Sequence, residues 1–110
     1  MKTKWVKFAS DEKELNELLR GKECMPMKVN SKAVLLVKHD GEYYMVKNRC
    51  PHQGYRLDQA HCEEGAIVCP WHKYSFSLET GRGSGLYLEN YPIEKREDGY
   101  YAGFEYFSLF

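Results

Sequence analysis

The rhythm of apolar and polar positions changes near Gly21. Before it, Trp5-Val6-Lys7-Phe8 reads as a short first strand. Ser10 is placed to cap a helix, and Asp11, Glu12 and Glu14 suit its positive N-terminal end. Leu15, Leu18 and Leu19 then repeat at i, i+3, i+4, and Gly21 is a stop, so the spacing predicts one short helix over about 11–20. Beyond Gly21 the pattern is one of strands. Met25–Val29, Ala33–Lys38, Tyr43–Lys47, Ala66–Val68 and Tyr74–Leu78 are short and rich in β-branched or aromatic residues. Tyr91–Glu97 and Tyr100–Tyr106 flank Asp98-Gly99 as a last hairpin, and Asn30-Ser31 and Asp40-Gly41 are turns.

Short strands at this spacing, with one short helix, predict an all-β fold built as an antiparallel sandwich or barrel. The stretch 48–65 is too polar and too rich in Gly, His and Cys for a core strand. Gly81-Arg82-Gly83-Ser84-Gly85 reads as a flexible loop. Its glycines match neither a phosphate-binding nor a dinucleotide-binding motif. Phe104–Phe110 reads as a final core strand, with Phe107, Leu109 and Phe110 open to a second use as a sticky patch.

At 110 residues the chain is one domain. With 16 basic and 16 acidic side chains its net charge is zero, which excludes a simple polyelectrolyte partner such as nucleic acid. The balance hides an asymmetry: residues 1–49 sum to +4 and residues 50–110 to −4. The longest aliphatic run, Ala33–Val37, is far too short to span a membrane, and no export signal is visible. A cytoplasmic location is the expectation. It favours ligands or free thiols over disulfides for the four cysteines.

The chemistry concentrates in two short segments. Cys50-Pro51-His52 is followed, after 16 intervening residues, by Cys69-Pro70-Trp71-His72. Each offers one soft thiolate and one neutral imidazole. Facing loops of this kind can place both Cys on one iron and both His on its neighbour. A mixed Cys₂His₂ zinc site is the rival, although structural zinc sites commonly use other spacings. Iron and acid-labile sulfide assays separate the two. His39, before a turn, is expected to be solvated. His61 and Cys62 lack the order of either motif, so Cys24 and Cys62 read as free thiols, one in a strand and one in a loop.

The pattern resembles the Rieske family: Cys-x-His, a spacer, then Cys-x-x-His, in the contexts Cys50-Pro51-His52-Gln53-Gly54 and Cys69-Pro70-Trp71-His72, with Phe76, Leu78 and Thr80-Gly81-Arg82 following. The resemblance implies a Rieske fold over residues 1–110, with a cluster-binding subdomain at about 48–88 inserted in a β base. It implies a Rieske-type [2Fe–2S] cluster held by Cys50, His52, Cys69 and His72, with the histidines near solvent and Trp71 and Tyr55 beside them at a docking surface. The implied function is a ferredoxin's: an electron carrier without substrate chemistry of its own. It would work between a flavin-containing reductase and an oxygenase or other reductase. A fixed small subunit of a larger reductase, and a redox sensor, are the alternatives.

Charge and hydrogen bonding set the expected potential. Two ferric ions, two sulfides and two thiolates sum to zero, whereas four thiolates would give −2, so an electron enters more easily. High-potential relatives carry a disulfide where this chain has Tyr55 and Trp71, and hydroxyl donors where it has Tyr74 and Phe76. Lys73 and the missing proline after the small-residue stretch are further departures. Without the disulfide and with no hydroxyl at Phe76, the midpoint potential is expected near the low end of the Rieske range, on the order of −150 mV. Protein-film voltammetry giving a value well above zero would overturn this expectation.

Overall fold

The structure, a computed structural model, describes residues 2–51, 54–70 and 74–106. A long first strand, β1 (Lys2–Ala9), leads into helix α1 (Glu12–Leu19). The Asp11 carboxylate accepts the Glu14 N–H at 2.8 Å, so the cap falls one residue after Ser10. The helix ends on Arg20 in the left-handed region, followed by Gly21, and buries Leu15 and Leu19.

Next come β2 (Cys24–Val29), β3 (Lys32–His39) and β4 (Glu42–Lys47). Asn30-Ser31 and Asp40-Gly41 supply the positive φ angles of their turns. Three short strands, β5 (His61–Glu63), β6 (Ala66–Val68) and β7 (Ser75–Ser77), form a separate sheet. A small hairpin of β8 (Arg82–Gly83) and β9 (Leu86–Tyr87) follows. The chain then returns through β10 (Asn90–Tyr91), β11 (Ile93–Arg96) and β12 (Gly99–Tyr106).

All strand pairs are antiparallel. One sheet has the order β1-β12-β11 and another β10-β4-β3-β2. Because β10 pairs with β4, Asn90 opposite Val46 and Tyr91 opposite Met45, the segment between them leaves the base and returns to where it started. The Lys47 N–H donates to the Glu89 carbonyl at 2.8 Å and closes the neck of that excursion.

The Val34–Val37 run is apolar throughout because this part of β3 is buried on both faces. Val34 and Leu36 pack into one core with Leu15, Tyr91 and Phe104. Leu35 and Val37, pointing the other way, pack into a second core with Leu57, Ile67, Phe76, Cys50 and Cys69. The β10-β4-β3-β2 sheet is therefore a wall shared by two cores.

Two expectations are corrected here. His61-Cys62-Glu63, placed in an irregular stretch by its polarity, pairs with β6 as a strand. The Gly81–Gly85 segment is not an open loop but contains β8 and the turn of the β8–β9 hairpin. Glycine is required there: a Cβ on Gly83 would fall onto the Ser75 carbonyl oxygen. In the predicted last strand, Phe104 is buried while Glu105 and Tyr106 are exposed; residues 107–110 lie outside the described residues.

The shared wall generates a prediction. Leu36→Ala and Leu35→Ala each remove a fully buried side chain, so each should cost roughly 2–5 kcal/mol in urea denaturation. Only Leu35→Ala opens the core that contains Cys50 and Cys69, so it alone is expected to lower bound iron.

Candidate metal centre

The two cysteine-containing loops are built alike. The Cys50 N–H donates to the Tyr55 carbonyl at 2.7 Å, and the Cys69 N–H donates to the Tyr74 carbonyl at 2.7 Å. Each loop thus closes from its cysteine to the residue five positions on. In the first loop the Gly54 N–H also returns to the Cys50 carbonyl at 2.7 Å, with Gly54 at φ +77°. The second loop leaves β6 and re-enters at β7, so its two roots are neighbours in one sheet.

Both cysteines are buried, at 1% exposure, in the same apolar core. All four cysteines of the chain are thiols rather than disulfides. His52, Trp71, His72 and Lys73 lie outside the described residues. Tyr55 is at the surface, 42% exposed, and Phe76 is fully buried beside the cysteines.

The first loop depends on a residue that sequence reasoning missed. Asn48 is the buried polar side chain of the described residues. Its Oδ1 accepts the Leu57 N–H at 2.7 Å, and its Nδ2 donates to Asp58 Oδ1 at 2.6 Å. Its own N–H donates to the Ala33 carbonyl at 3.1 Å. One amide therefore ties both ends of the loop to the shared wall. The Asn48 hydrogen bond, aided by Arg56 at 3.1 Å, holds the Asp58 carboxyl below its usual range. A single Asn two residues before Cys50 carries no periodic signal, so only the fold reveals it.

Charge is distributed differently from its order along the chain. Lys32, Lys47, Arg49 and Arg56 line one groove beside the first loop, together with Asn48 and Glu89. The −4 balance of residues 50–110 does not make that side acidic.

Two histidine and cysteine expectations also change. His39 is only 15% exposed; its Nε2 accepts the Gly65 N–H at 3.1 Å, so it is not solvated. Cys62 lies in β5, not in a loop, and packs against the second core that contains Cys24.

Two buried thiols at the roots of matched loops on an antiparallel β scaffold define a metal-loop protein. The donors fit an iron–sulfur group, since thiolates in an apolar core suit iron and sulfide. The chain belongs to the Rieske [2Fe–2S] domain family, which it matches over residues 5–90, and its cofactor is a Rieske [2Fe–2S] cluster. It is similar to the ferredoxin component of the alkene monooxygenase system of Xanthobacter autotrophicus, 36% identical over 70 residues. That alignment takes in 60% of this chain but 57% of the relative's length. The ferredoxin component of the naphthalene 1,2-dioxygenase/salicylate 5-hydroxylase systems of Ralstonia sp. is 30% identical over 98 residues, 86% of this chain and 89% of that one. Among solved structures, the Sphingomonas yanoikuyae B1 ferredoxin superposes with a TM-score of 0.60 at 27% identity, covering 74% of this chain and 85% of that one.

Removing the Asn48 amide tests the clamp. Asn48→Ala leaves the Leu57 N–H without its acceptor and is expected to cost about 1–3 kcal/mol in urea denaturation, with lower iron content. Asp58 adds a pH test. Its folded carboxyl is depressed, so its contribution is complete above the unfolded pKa of roughly 3.9 and is lost as pH falls through the folded value. Urea midpoints of wild type and Asp58→Asn should therefore converge as the pH is lowered below roughly 4.

Proposed function

We propose that this chain is a one-electron carrier whose cluster is held by Cys50, His52, Cys69 and His72 in a cluster-binding part, about 48–88, set on a β base. The observation that carries this reading is the matched pair of closures: each loop buries its cysteine and fixes it through a 2.7 Å backbone bond. Each loop then runs on to a histidine, two residues after Cys50 and three after Cys69.

The cluster supplies reversible one-electron chemistry when bound. The chain's own residues supply the rest. Leu57, Ile67, Phe76, Leu78 and Leu88 pack around the cysteines, which keeps water from the sulfurs and favours the less charged, oxidised site. Asn48 and the loop closures hold the thiols in place without help from the metal. Tyr55, exposed on the first loop, fits a small transient docking surface.

The electron donor in this reading is a flavin-containing reductase and the acceptor an oxygenase or other reductase; the names of the similar oxygenase-system ferredoxins support the oxygenase. The chain performs no substrate chemistry of its own and works in the cytoplasm. Among the described residues no helix is long and apolar enough to cross a membrane.

Purified protein should contain two irons and two acid-labile sulfides per chain, and Cys50→Ser or Cys69→Ser should lose both. The loaded protein should pass electrons from a flavin reductase to a Rieske oxygenase. Tyr55→Ala should slow that transfer at unchanged iron content. One zinc and no sulfide, or a loaded protein that does not exchange electrons with either protein, would refute the reading.

A further inference from the structure

A second group of metal donors meets away from the cluster loops. Glu23 directly precedes β2, His39 ends β3 and Cys62 is the middle residue of β5. One carboxylate oxygen, one imidazole nitrogen and one sulfur from these residues lie within 4.8 Å of one another. Glu23 and His39 are held side by side because the Lys38 N–H donates to the Glu23 carbonyl at 2.9 Å. Cys62 is held against them because its N–H bonds Glu23 Oε1 at 2.6 Å. Gly65, in the β5–β6 turn, donates to His39 Nε2 at 3.1 Å. The donors are thus positioned by three backbone hydrogen bonds before any ion is considered.

We propose that Glu23, His39 and Cys62 form a second metal site, separate from the cluster, that takes a borderline-soft divalent cation of the Zn²⁺ type. The donor set of one thiolate, one imidazole and one carboxylate is that of zinc. Glu23 Oε2 and His39 Nδ1 stand 3.9 Å apart. Two donors each about 2.1 Å from zinc and separated by a tetrahedral angle stand about 3.4 Å apart, so a small side-chain movement brings this pair to coordinating distance.

Binding through Nδ1 changes the tautomer, so Nε2 gives up the Gly65 N–H and turns donor. With Nδ1 on the metal, the proton sits on Nε2, which lies 3.5 Å from Asp40 Oδ2. That carboxylate then receives it, the usual orienting arrangement of a metal-bound histidine. Cys62 releases its thiol proton to solvent on binding. The neighbouring Cys24 thiol, burial and the Glu23 carboxylate all hold that proton on in the metal-free state. A divalent charge reverses this balance. The ion joins the base sheet to the β5–β6 hairpin, so binding also stabilises the joint between them.

The test uses the cluster-loaded protein and Zn²⁺ alone. After one equivalent of Zn²⁺ and gel filtration, one zinc per chain is expected with iron and sulfide content unchanged, together with a rise in Tm. X-ray absorption at the zinc edge should show a mixed sulfur and nitrogen/oxygen shell. His39→Gln keeps an acceptor for the Gly65 N–H, and Glu23→Gln keeps one for the Cys62 N–H, so both variants should fold and retain their iron. Each should weaken zinc affinity by about tenfold or more in competition with a chromophoric chelator, and should abolish the rise in Tm. No zinc retained by wild type would overturn the proposal. So would equal affinity in both variants, or a Cys24–Cys62 disulfide in protein that still holds its zinc. Iron counts are read separately, so failure here does not bear on the cluster.

Discussion

A cysteine buried at the bottom of a loop must not leave its backbone polar groups unpaired. The chain meets this constraint twice in one way. The amide of each loop cysteine is satisfied by the carbonyl five residues on, within its own loop. Neither loop borrows a strand partner for its cysteine N–H, so each sulfur can sit in the second core while the loop around it turns toward the surface. The apolar packing around Cys50 and Cys69, the Asn48 clamp and the wall formed by β3 surround those two amides.

Asn48 shows how costly such positioning is to disguise as ordinary structure. A buried amide is tolerated because every polar atom it carries finds a partner; among the described residues no buried side-chain polar atom is left unpaired. Apolar packing supplies the bulk of the cohesion, while this one polar residue supplies direction. It fixes where the first loop begins and where it ends.

Much of this was legible in the sequence. The Asp-Gly and Asn-Ser turns, the helix and most base strands follow from periodicity and turn chemistry, and the Cys/His spacing led to the family. What escaped was set by partners distant in sequence. β5 has no apolar alternation of its own and is a strand because β6 lies beside it. The Gly81–Gly85 stretch looks like a linker until β7 presses against Gly83. The Asp11 cap displaced Ser10 by one residue because the Asp side chain reaches the Glu14 amide. His39 looked solvated because its contacts, Glu23 and Gly65, come from two other elements.

The neck where β4 meets β10 has a consequence for how such a molecule is made and varied. Lys47 and Glu89 are bonded neighbours, so the 41 residues between them hang from the base as a closed bight. Among the described residues, the first core draws on both sides of that bight, from Ala9 to Phe104, and on nothing within it. The second core, by contrast, joins Leu57, Ile67 and Phe76 of the bight to Leu35, Val37 and Val46 of the wall. Changes in the bight's length or loop cover therefore leave the contacts of the first core in place.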